Sequence, residues 1–428
     1  MKKLQPFVRC LSALAVAVSL VSALVAPHPA RAQRSTEGTI VPGEILVGMR
    51  PTADVPGRSA RIVEALGIGA EQGHSFTLHV GRVRLGARIS ASQAMSRLRM
   101  APGVEFVEPN HYLHAFVQPN DPYFAQQYAP RKTQADSAWS VWKPLRRAII
   151  AIVDTGVDST HPDLKDKILR GGNGQVIGYN ALTGRFGDAK DDYGHGTHCA
   201  GIAAAQVNNR TGVAGIAGWT GSGSDSYWTK IMPIKALDRN GQGSDASVAD
   251  GIATAAHLGA NVISLSLGGP NPSSTLQRAV DFAWNAHDCV VVAAAGNSWD
   301  SSRQYPAACT NVLSVAATDA TDTLAPYSTF GSWVATAAPG DSIVSTMPTY
   351  HCTLNDYGYP SNYATLSGTS MACPLVAGEA ALLWSENVTG NGHVTGWILR
   401  NTDPYRPYWG RIGGGRVNVL RAVRAALP

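Results

Sequence analysis

The chain has 428 residues, of which 44% are hydrophobic and 15% are charged, and this balance indicates a globular protein. Its formal charge of +5 comes from the first 116 residues, because residues 117–428 carry 22 Lys and Arg against 23 Asp and Glu. Nothing in that larger part favours binding to nucleic acid or to an anionic membrane.

Residues 1–32 are predicted to be a secretory signal peptide. They start with two lysines and an arginine, continue with an apolar run over 11–25, and end with ARA, which fits the small-residue rule for cleavage. A membrane-spanning helix needs about 20 apolar residues. We therefore expect a secreted protein without a membrane anchor in its mature form.

Residues 33–116 are predicted to form a small α+β unit. The segments PGEILVGMRP and GVEFVEPNHYLHAF have the composition of strands, and a helix-like ASQAMSRLRM precedes the second one. A loop-forming QPNDPYF then leads into the remaining chain.

From residue 147 onward, short apolar runs alternate with longer helical segments. The strand-like runs are AIIAIVD, KIMPIKAL, NVISLSL, VVVAAA and VLSVAA, and the helical ones include ASVADGIATAAHLGA and STLQRAVDFAWNAH. This alternation indicates an α/β fold with a mainly parallel sheet covered by helices on both faces. Functional sites in such sheets form at the carboxyl ends of the strands.

Four polar side chains lie at element ends in this pattern. Asp154 ends the first run, Asn297 follows VVVAAAG, His195 heads an Ala-rich helix between glycines, and Ser370 begins a helix in LSGTSMA. Acyl transfer needs an acid, a base, an amide donor and a hydroxyl. We therefore predict that Ser370 is the nucleophile, His195 the base and Asp154 its orienting acid, with Asn297 as an amide donor.

Each of these residues also has a simpler interpretation. Asp154 and Asn297 are ordinary turn residues, and a serine such as Ser370 often caps a helix. A zinc site at His195 and His198 is a further alternative, but it lacks the spacing and the glutamate of HExxH. GTSMA nearly matches the α/β-hydrolase elbow, but that fold requires the order serine, acid, histidine, and here the acid and the base precede the serine.

The chain resembles the subtilase family of serine endopeptidases, and within it the thermitase-like members. The motifs DTGVDSTHPDL, GHGTHCAG, VISLSLGG, VVVAAAGN and LSGTSMA occur in the family's order, and the resemblance covers residues 117–428. It implies a three-layer subtilisin-like fold and a secreted, monomeric endopeptidase of broad specificity that acts on proteins or peptides, with Asn297 as its oxyanion donor. It also implies that residues 33–116 are an inhibitory and chaperoning propeptide, with the mature start between 115 and 121. An inactive subtilase-like binding or inhibitory protein is the alternative.

The resemblance also locates the substrate groove. The pocket for the side chain before the cut bond lies between 266–268 and 293–296, and 240–243 forms an edge that pairs with extended substrate. Small apolar walls favour an apolar or aromatic side chain, and Gln304 is expected at the pocket floor instead of an acid. The predicted substrate-binding residues are Ser266, Leu267, Gly268, Ala294, Ala295, Gly296, Gly241 and Gly243.

Calcium is implied by the same resemblance. It points to one site where oxygen donors, which suit Ca²⁺, tie an N-terminal arm to a loop. Asp188, Asp191 and Asp192 could host a second ion, but their spacing departs from the family and we predict none there. The ligands predicted for the first site are Asp121, Asp163, Gln206, Asn209, Thr211 and Val213.

Five cysteines follow the signal peptide, which leaves at least one without a partner in the chain. Cys289 and Cys309 precede strand-like runs, and we favour a disulfide between them if these strands are neighbours. Cys373 occupies a position where the family commonly has Ser or Thr, and Leu375 one where it usually has His. Both Cys199 and Cys373 are expected to be buried. The resemblance does not account for residues 348–362, which contain one further cysteine, Cys352, and three tyrosines.

Overall fold

The computed structural model describes residues 40–75, 77–111, 119–219, 228–386, 388, 390–404 and 411–427. The predicted signal peptide and residues 115–118 of the predicted maturation region lie outside these ranges. Within them, no helix has both the length and the apolar character needed to cross a membrane.

The N-terminal part is a four-stranded antiparallel sheet with two helices. Its elements are β1 (Ile40–Met49), α1 (Arg58–Ala65), β2 (Gly69–Ser75), β3 (Val80–Leu85), α2 (Ala91–Arg99) and β4 (Val104–His111). The strands lie in the order β2-β3-β1-β4, which with the βαββαβ chain order is the split βαβ arrangement. A capping box of Ser90 and Gln93 begins α2. The predicted strands and helix are present, while α1, β2 and β3 had not been predicted.

An eight-stranded sheet lies at the centre of the remaining chain. Its strands are β5 (Ala148–Asp154), β6 (Tyr179–Asn180), β7 (Arg185–Phe186), β8 (Thr229–Lys235), β9 (Val262–Leu265), β10 (Val290–Ala294), β11 (Val312–Thr318) and β12 (Thr336–Pro339). They lie in the order β12-β11-β10-β9-β5-β8-β6-β7 and are parallel except for the β6–β7 pair. A separate antiparallel hairpin is formed by β13 (Ile343–Thr346) and β14 (Tyr363–Leu366).

Helices cover both faces of the large sheet, which confirms the predicted three-layer α/β fold. Along β5, Ile150 and Ile152 pack into one cluster with helices α5 (His195–Ala204), α9 (Thr369–Ser385) and α11 (Val419–Ala426). Ala151 and Val153 pack on the other face, against α6 (Asp245–His257) and α7 (Ser274–Asp281). Both faces of the strand are therefore buried, as its continuous apolar sequence requires. The helices are α3 (Ala129–Lys132), α4 (Ala135–Trp139), α5 (His195–Ala204), α6 (Asp245–His257), α7 (Ser274–Asp281), α8 (Thr353–Asp356), α9 (Thr369–Ser385), α10 (Asn391–Arg400) and α11 (Val419–Ala426).

The strand order positions the functional residues. Strand β5 has β8 as its neighbour on one side and β9 on the other. The strand order therefore reverses its direction at β5. Ligands of open α/β sheets bind at the carboxyl ends of strands at such a point. Asp154 is the last residue of β5.

Two expectations are corrected by the structure. The predicted helix STLQRAVDFAWNAH is α7 only as far as Asp281, and a π-helical turn follows over Phe282–Ala286. The predicted disulfide is absent, since Cys289 and Cys309 are both free thiols. Their strands are neighbours, but the Cys289 thiol donates to the Ala260 carbonyl at 3.0 Å and Cys309 lies in a turn closed by Pro306.

Candidate active site

Asp154 and His195 form a hydrogen-bonded pair at the end of β5. Asp154 is fully buried, and its Oδ1 lies 2.8 Å from Nδ1 of His195, whose side chain is 19% exposed. The same oxygen accepts the backbone N–H of Thr155 at 2.7 Å. The acid is therefore held inside the protein, while the imidazole remains accessible to a substrate.

The start of α5 fixes the position of the histidine. Gly194 precedes it with φ of +115°, and a Cβ at this position would lie 2.9 Å from Sγ of Cys352. Any other residue would therefore be strained and would collide with the thiol. This glycine allows the chain to turn sharply into the helix that begins with His195.

The pKa of His195 reflects two opposing effects. Burial lowers the pKa of the imidazole, but the adjacent Asp154 carboxylate outweighs burial and raises it well above the ordinary value. His195 is thus a stronger base than an isolated histidine, and it is cationic at mildly acidic pH.

Ser370 is the second residue of α9, behind Gly368 at the N-cap. Its hydroxyl makes no capping bond and instead donates to the Ser266 carbonyl, with 3.2 Å between the oxygens. The capping interpretation of Ser370 is therefore wrong. In this rotamer the hydroxyl does not bond to His195, which is common before a substrate binds.

Pro374 frees the carbonyl of Ser370 for contacts outside the helix. Proline lacks an N–H, so the carbonyl four residues earlier has no helical donor. That carbonyl accepts instead from Ser266 Oγ at 2.8 Å and from Cys199 Sγ at 3.5 Å. The first turn of α9 is thereby tied to β9 and to α5.

Cys199 contacts both His195 and the backbone of Ser370. Its Sγ is 3.8 Å from Nδ1 of His195 as well as 3.5 Å from the Ser370 carbonyl. Burial raises the pKa of the thiol, which keeps it protonated. Cys373 is also fully buried, with Sγ 3.5 Å from the Ser264 hydroxyl, and burial raises its pKa to about 12. Both cysteines are buried, as predicted, and so is Leu375.

Asn297 lies beside the start of α9 with its amide oriented. Its Oδ1 accepts the backbone N–H of Thr369 at 2.9 Å and the Thr369 hydroxyl at 3.0 Å. Because this oxygen accepts two hydrogen bonds, the other end of the amide is the NH₂ group. Its nitrogen lies close to Gly368, where a Cβ would be only 3.3 Å away. The NH₂ group thus remains available as a donor next to Ser370.

Asp191 is a site residue that sequence reasoning missed as such. Its Oδ1 accepts from the Thr155 hydroxyl and from the N–H groups of Tyr193 and Gly194, and its Oδ2 accepts from the N–H and hydroxyl of Thr197. These five bonds join the loop after Asp154 to the first turn of α5. The sequence offered one signal for this role, namely that Asp191 is an acid four residues before His195 in a turn that contains a glycine.

The other acids of this loop do not favour a second ion. Asp192 pairs with Lys235, with 2.6 Å between Oδ1 and Nζ, and the oxygens of Asp191 already accept five hydrogen bonds.

His198 is a core residue that does not act with His195. It is fully buried, and its Nε2 lies 3.1 Å from the Ala364 carbonyl, while His195 bonds to Asp154. Burial lowers the pKa of His198 to about 3. The two histidines do not converge on a common point, so the zinc alternative is not supported by their geometry.

A groove of about 540 Å³ opens in front of His195. Gly241 and Gly243 line one side of it, and Ser266, Leu267 and Gly268 line the other. The predicted edge and one predicted pocket wall therefore face the same cavity.

The second predicted wall lies deeper in the molecule. Ala294 and Ala295 are buried and, like Gly296, are not among the residues lining the groove. A Cβ on Gly296 would lie 2.7 Å from Cγ of Gln304, and one on Gly268 would lie 3.8 Å from its Cβ. Gln304 thus lies next to residues of both walls, but it is not among the residues that line the groove.

The predicted calcium ligands lie around one loop. Asp121 and Asp163 are both buried. Asp121 accepts the N–H of Asn208, and Asp163 accepts the N–H of Val213 and the side-chain amide of Asn209. Gln206 donates its N–H to the Asp163 carbonyl, and Thr211 donates its own to Asn209 Oδ1. The structure therefore brings the predicted residues together.

Burial of these acids has an electrostatic cost. It raises the pKa of Asp163 to about 7, and the negative charge of Asp121 adds to this effect. Burial likewise raises the pKa of Asp121. None of the hydrogen-bond partners described for the two carboxylates carries a positive charge.

Comparisons with known proteins agree with this geometry. The chain matches the model of the Subtilase family over residues 146–408 and that of the Fervidolysin N-terminal prodomain over residues 26–110. It is 38% identical to a thermophilic serine proteinase of Bacillus sp. strain AK1, over 90% of this chain and 88% of that protein. It is 45% identical to thermitase of Thermoactinomyces vulgaris, over 72% of this chain and 99% of that protein. A protease structure from Pseudoalteromonas arctica PAMC 21717 is similar with a TM-score of 0.62 and 30% identity, over 73% of this chain and all of the other.

Proposed function

Because the chain belongs to the subtilase family and is a subtilisin-like serine endopeptidase, we propose that Asp154, His195 and Ser370 form its catalytic triad. The observation that carries this proposal is the 2.8 Å hydrogen bond between the buried Asp154 and the accessible His195 at the mouth of a groove. The contact of Ser370 with Ser266, which lines the same groove, supports it further.

The proposed reaction proceeds through an acyl-enzyme. Ser370 Oγ attacks the substrate carbonyl while Nε2 of His195 takes the hydroxyl proton, and Asp154 holds the imidazole and stabilises its cation. The amide of Asn297 and the backbone N–H of Ser370 bind the oxyanion. His195 then gives the proton to the leaving amine, and a water molecule activated by the same histidine releases the acid product.

The groove supports a preference for an apolar or aromatic side chain before the cut bond. Leu267 and Gly268 form the wall that faces the cavity, and uncharged Gln304 lies below. A Lys or Arg side chain would find no acid at this floor, whereas an apolar side chain loses water-exposed surface there.

Residues 33–116 are proposed to be the propeptide, residues 1–32 a signal peptide, and residues 117–428 the secreted, monomeric enzyme. The prodomain match over 26–110 and the separate four-stranded sheet support the propeptide. In this proposal the propeptide assists folding and occupies the groove until it is cleaved off.

Calcium is proposed as a stabilising ion between the N-terminal arm and the loop 206–213. Asp121 and Asp163 are two buried carboxylates of like charge, and hard oxygen donors of this kind suit Ca²⁺. Asn209 donates its NH₂ to Asp163, so its amide would turn before its oxygen served as a ligand. Backbone carbonyls of Gln206, Thr211 and Val213 would complete the ligand set.

An active-site probe tests the proposed triad. A fluorophosphonate should label the matured enzyme at Ser370, located by mass spectrometry, and the Ser370→Ala variant should remain unlabelled. An unlabelled wild-type protein that has lost residues 33–116 would contradict the triad and favour the inactive binding or inhibitory alternative.

A further inference from the structure

The loop between β13 and β14, residues 347–362, is unexplained by the family resemblance and lies against the active site. We call it the hairpin loop. Its ends meet, because Met347 donates its N–H to the Asn362 carbonyl and Asn362 donates its own to Pro348 at 3.1 Å. Strand β14 runs from this closure toward α9, which carries Ser370.

The hairpin loop is firmly attached behind the catalytic residues. Thr349 donates both its N–H and its hydroxyl to the buried Asp158, at 3.0 and 2.8 Å. Cys352 and Leu354 are buried in the main core cluster, and both face Gly194 at the start of α5. The loop is therefore a packed part of the enzyme.

The front of the hairpin loop reaches two segments that border the groove. Thr353 and Leu354 donate their N–H groups to the carbonyls of Asp192 and Tyr193, at 3.1 and 3.0 Å. The Thr353 hydroxyl donates to the Arg239 carbonyl at 2.7 Å. Thr353 thus links the loop before His195 to the turn that leads into the edge 240–243.

Tyr193 completes this connection from the groove side. A Cβ on Gly241 would lie 3.1 Å from Cζ of Tyr193, so the edge rests on the aromatic ring. Tyr193, Gly241 and Gly243 all line the groove that also contains the predicted pocket wall. Hydrogen bonds from the hairpin loop therefore hold the backbone of Tyr193, whose ring supports Gly241, and the turn at Arg239 that leads into the edge.

We propose that the hairpin loop, through Thr353, fixes the edge 240–243 beside the cleft and so determines how tightly the enzyme binds the residues that precede the cut bond of an extended peptide. Thr353 is a positioning residue in this proposal, because it contacts the edge and not the substrate. The inference rests on the proposed endopeptidase function and concerns the strength of extended binding, not the chemical step.

A pair of substrates of different length separates these effects. An N-acetyl-phenylalanine ester occupies only the pocket, whereas a peptide anilide with four residues before the cut bond, phenylalanine last, also needs the edge. Thr353→Val removes the hydroxyl, and we expect KM for the long substrate to rise about two- to tenfold, the range that loss of one hydrogen bond predicts. Its kcat, and both constants for the ester, should stay within about twofold, because the chemical step is untouched.

Two further variants make the test specific. Thr353→Ser keeps the hydroxyl and should match the wild type on both substrates. Tyr357→Ala changes a side chain of the same loop that is 72% exposed, and it should also match the wild type.

Several results would overturn the inference. An unchanged KM for the long substrate in Thr353→Val would do so, as would an equal rise for both substrates or a fall in kcat for the ester. A rise in KM for Tyr357→Ala would show direct contact with substrate instead of positioning. If the wild type cleaved neither substrate, the proposed function itself would fail, and this inference with it.

Discussion

The hydroxyl of Thr155 donates a hydrogen bond to the buried carboxylate of Asp191, with 2.8 Å between the oxygens. The same hydroxyl accepts the backbone N–H of Gly196 at 2.9 Å, while the N–H of Thr155 donates to Asp154. One residue thus joins the acid that orients the histidine to the helix turn that carries it. This arrangement makes the geometry of the Asp154–His195 pair depend on a side chain outside the proposed triad.

Thr155→Val should lower kcat by about ten- to a hundredfold. It removes both hydrogen bonds that hold the loop after Asp154 against the first turn of α5, and the bond to the Asp191 carboxylate alone is worth about 1.5–3 kcal/mol. Thr155→Ser keeps the hydroxyl and should retain most of the activity. Steady-state kinetics on a peptide anilide, with a melting midpoint for each variant, measures this. Equal kcat values for the two variants would show that the hydroxyl has no role in holding the pair.

Asn297→Ala should lower kcat by about 10²- to 10³-fold, the loss measured when a subtilisin is deprived of its oxyanion amide. KM should change little, because the amide acts on the charge that develops during reaction. Ser298→Ala alters the adjacent residue and serves as the matched control. A large rise in KM with normal kcat would assign Asn297 to ground-state binding instead.

The acid limb of the kcat/KM profile should lie above pH 6.5. Asp154 raises the pKa of His195, and only neutral imidazole accepts the serine proton, so activity appears as pH rises through this raised value. Asp154→Asn removes the charge that raises the pKa of His195, so the acid limb of its remaining activity should lie at lower pH. A wild-type limb below pH 6.5 would contradict the assigned pair.

Calcium should stabilise the protein more as pH rises from 5 to 8. Without an ion the folded pKa of Asp163, about 7, exceeds its unfolded value, so the folded state holds a proton that the unfolded state has lost, and stability falls as pH rises toward 7. Calcium favours the ionised carboxylate and should remove this fall. Melting midpoints of Ser370→Ala, which cannot digest itself, are compared in EDTA and in calcium.

The Asp163→Asn variant is the control for the calcium experiment. It has no carboxyl proton to lose, so its midpoint in EDTA should depend less on pH and respond weakly to calcium. If the melting midpoint of the protein with Asp163 intact depended on neither pH nor calcium, this would argue against an ion at this site.

A small mercury compound should inhibit the enzyme slowly through Cys199, because this buried, protonated thiol reacts only when the protein opens locally. Mercury binds thiols strongly, and a metal on Sγ would lie within a few ångströms of Nδ1 of His195. Cys199→Ala should keep activity and lose most of the sensitivity, whereas Cys373→Ala should remain sensitive. Titration of the unfolded mature enzyme should find five thiols, since all five cysteines described are free.

The sequence predicted the main sheet and the four candidate residues because both depend on local patterns. Continuous apolar strands have few alternatives to a covered parallel sheet, and Asp154, His195, Asn297 and Ser370 each lie in a motif at an element end. The short strands β6, β7, β12, β13 and β14 escaped prediction. Two to four residues are too few to show a period.

Other features depend on contacts between distant segments. Asp191 collects its donors from residues 193–197 nearby and from Thr155, which lies 36 residues earlier in the chain. The predicted disulfide failed for a related reason. Neighbouring strands bring two cysteines near one another, but the direction of each thiol is set by the turn before Cys309 and by the Ala260 carbonyl near Cys289.

The closed base of the hairpin loop has an evolutionary meaning. Because the N–H groups of Met347 and Asn362 pair with carbonyls at the opposite end, the segment between them enters and leaves the domain at one place. A segment of this kind can change in length or sequence while the strand leading to Ser370 keeps its register. Within the segment, exposed positions such as Tyr357 are free to vary, whereas Thr349, Cys352 and Leu354 bond to or pack against buried groups beside the active site and have to be kept.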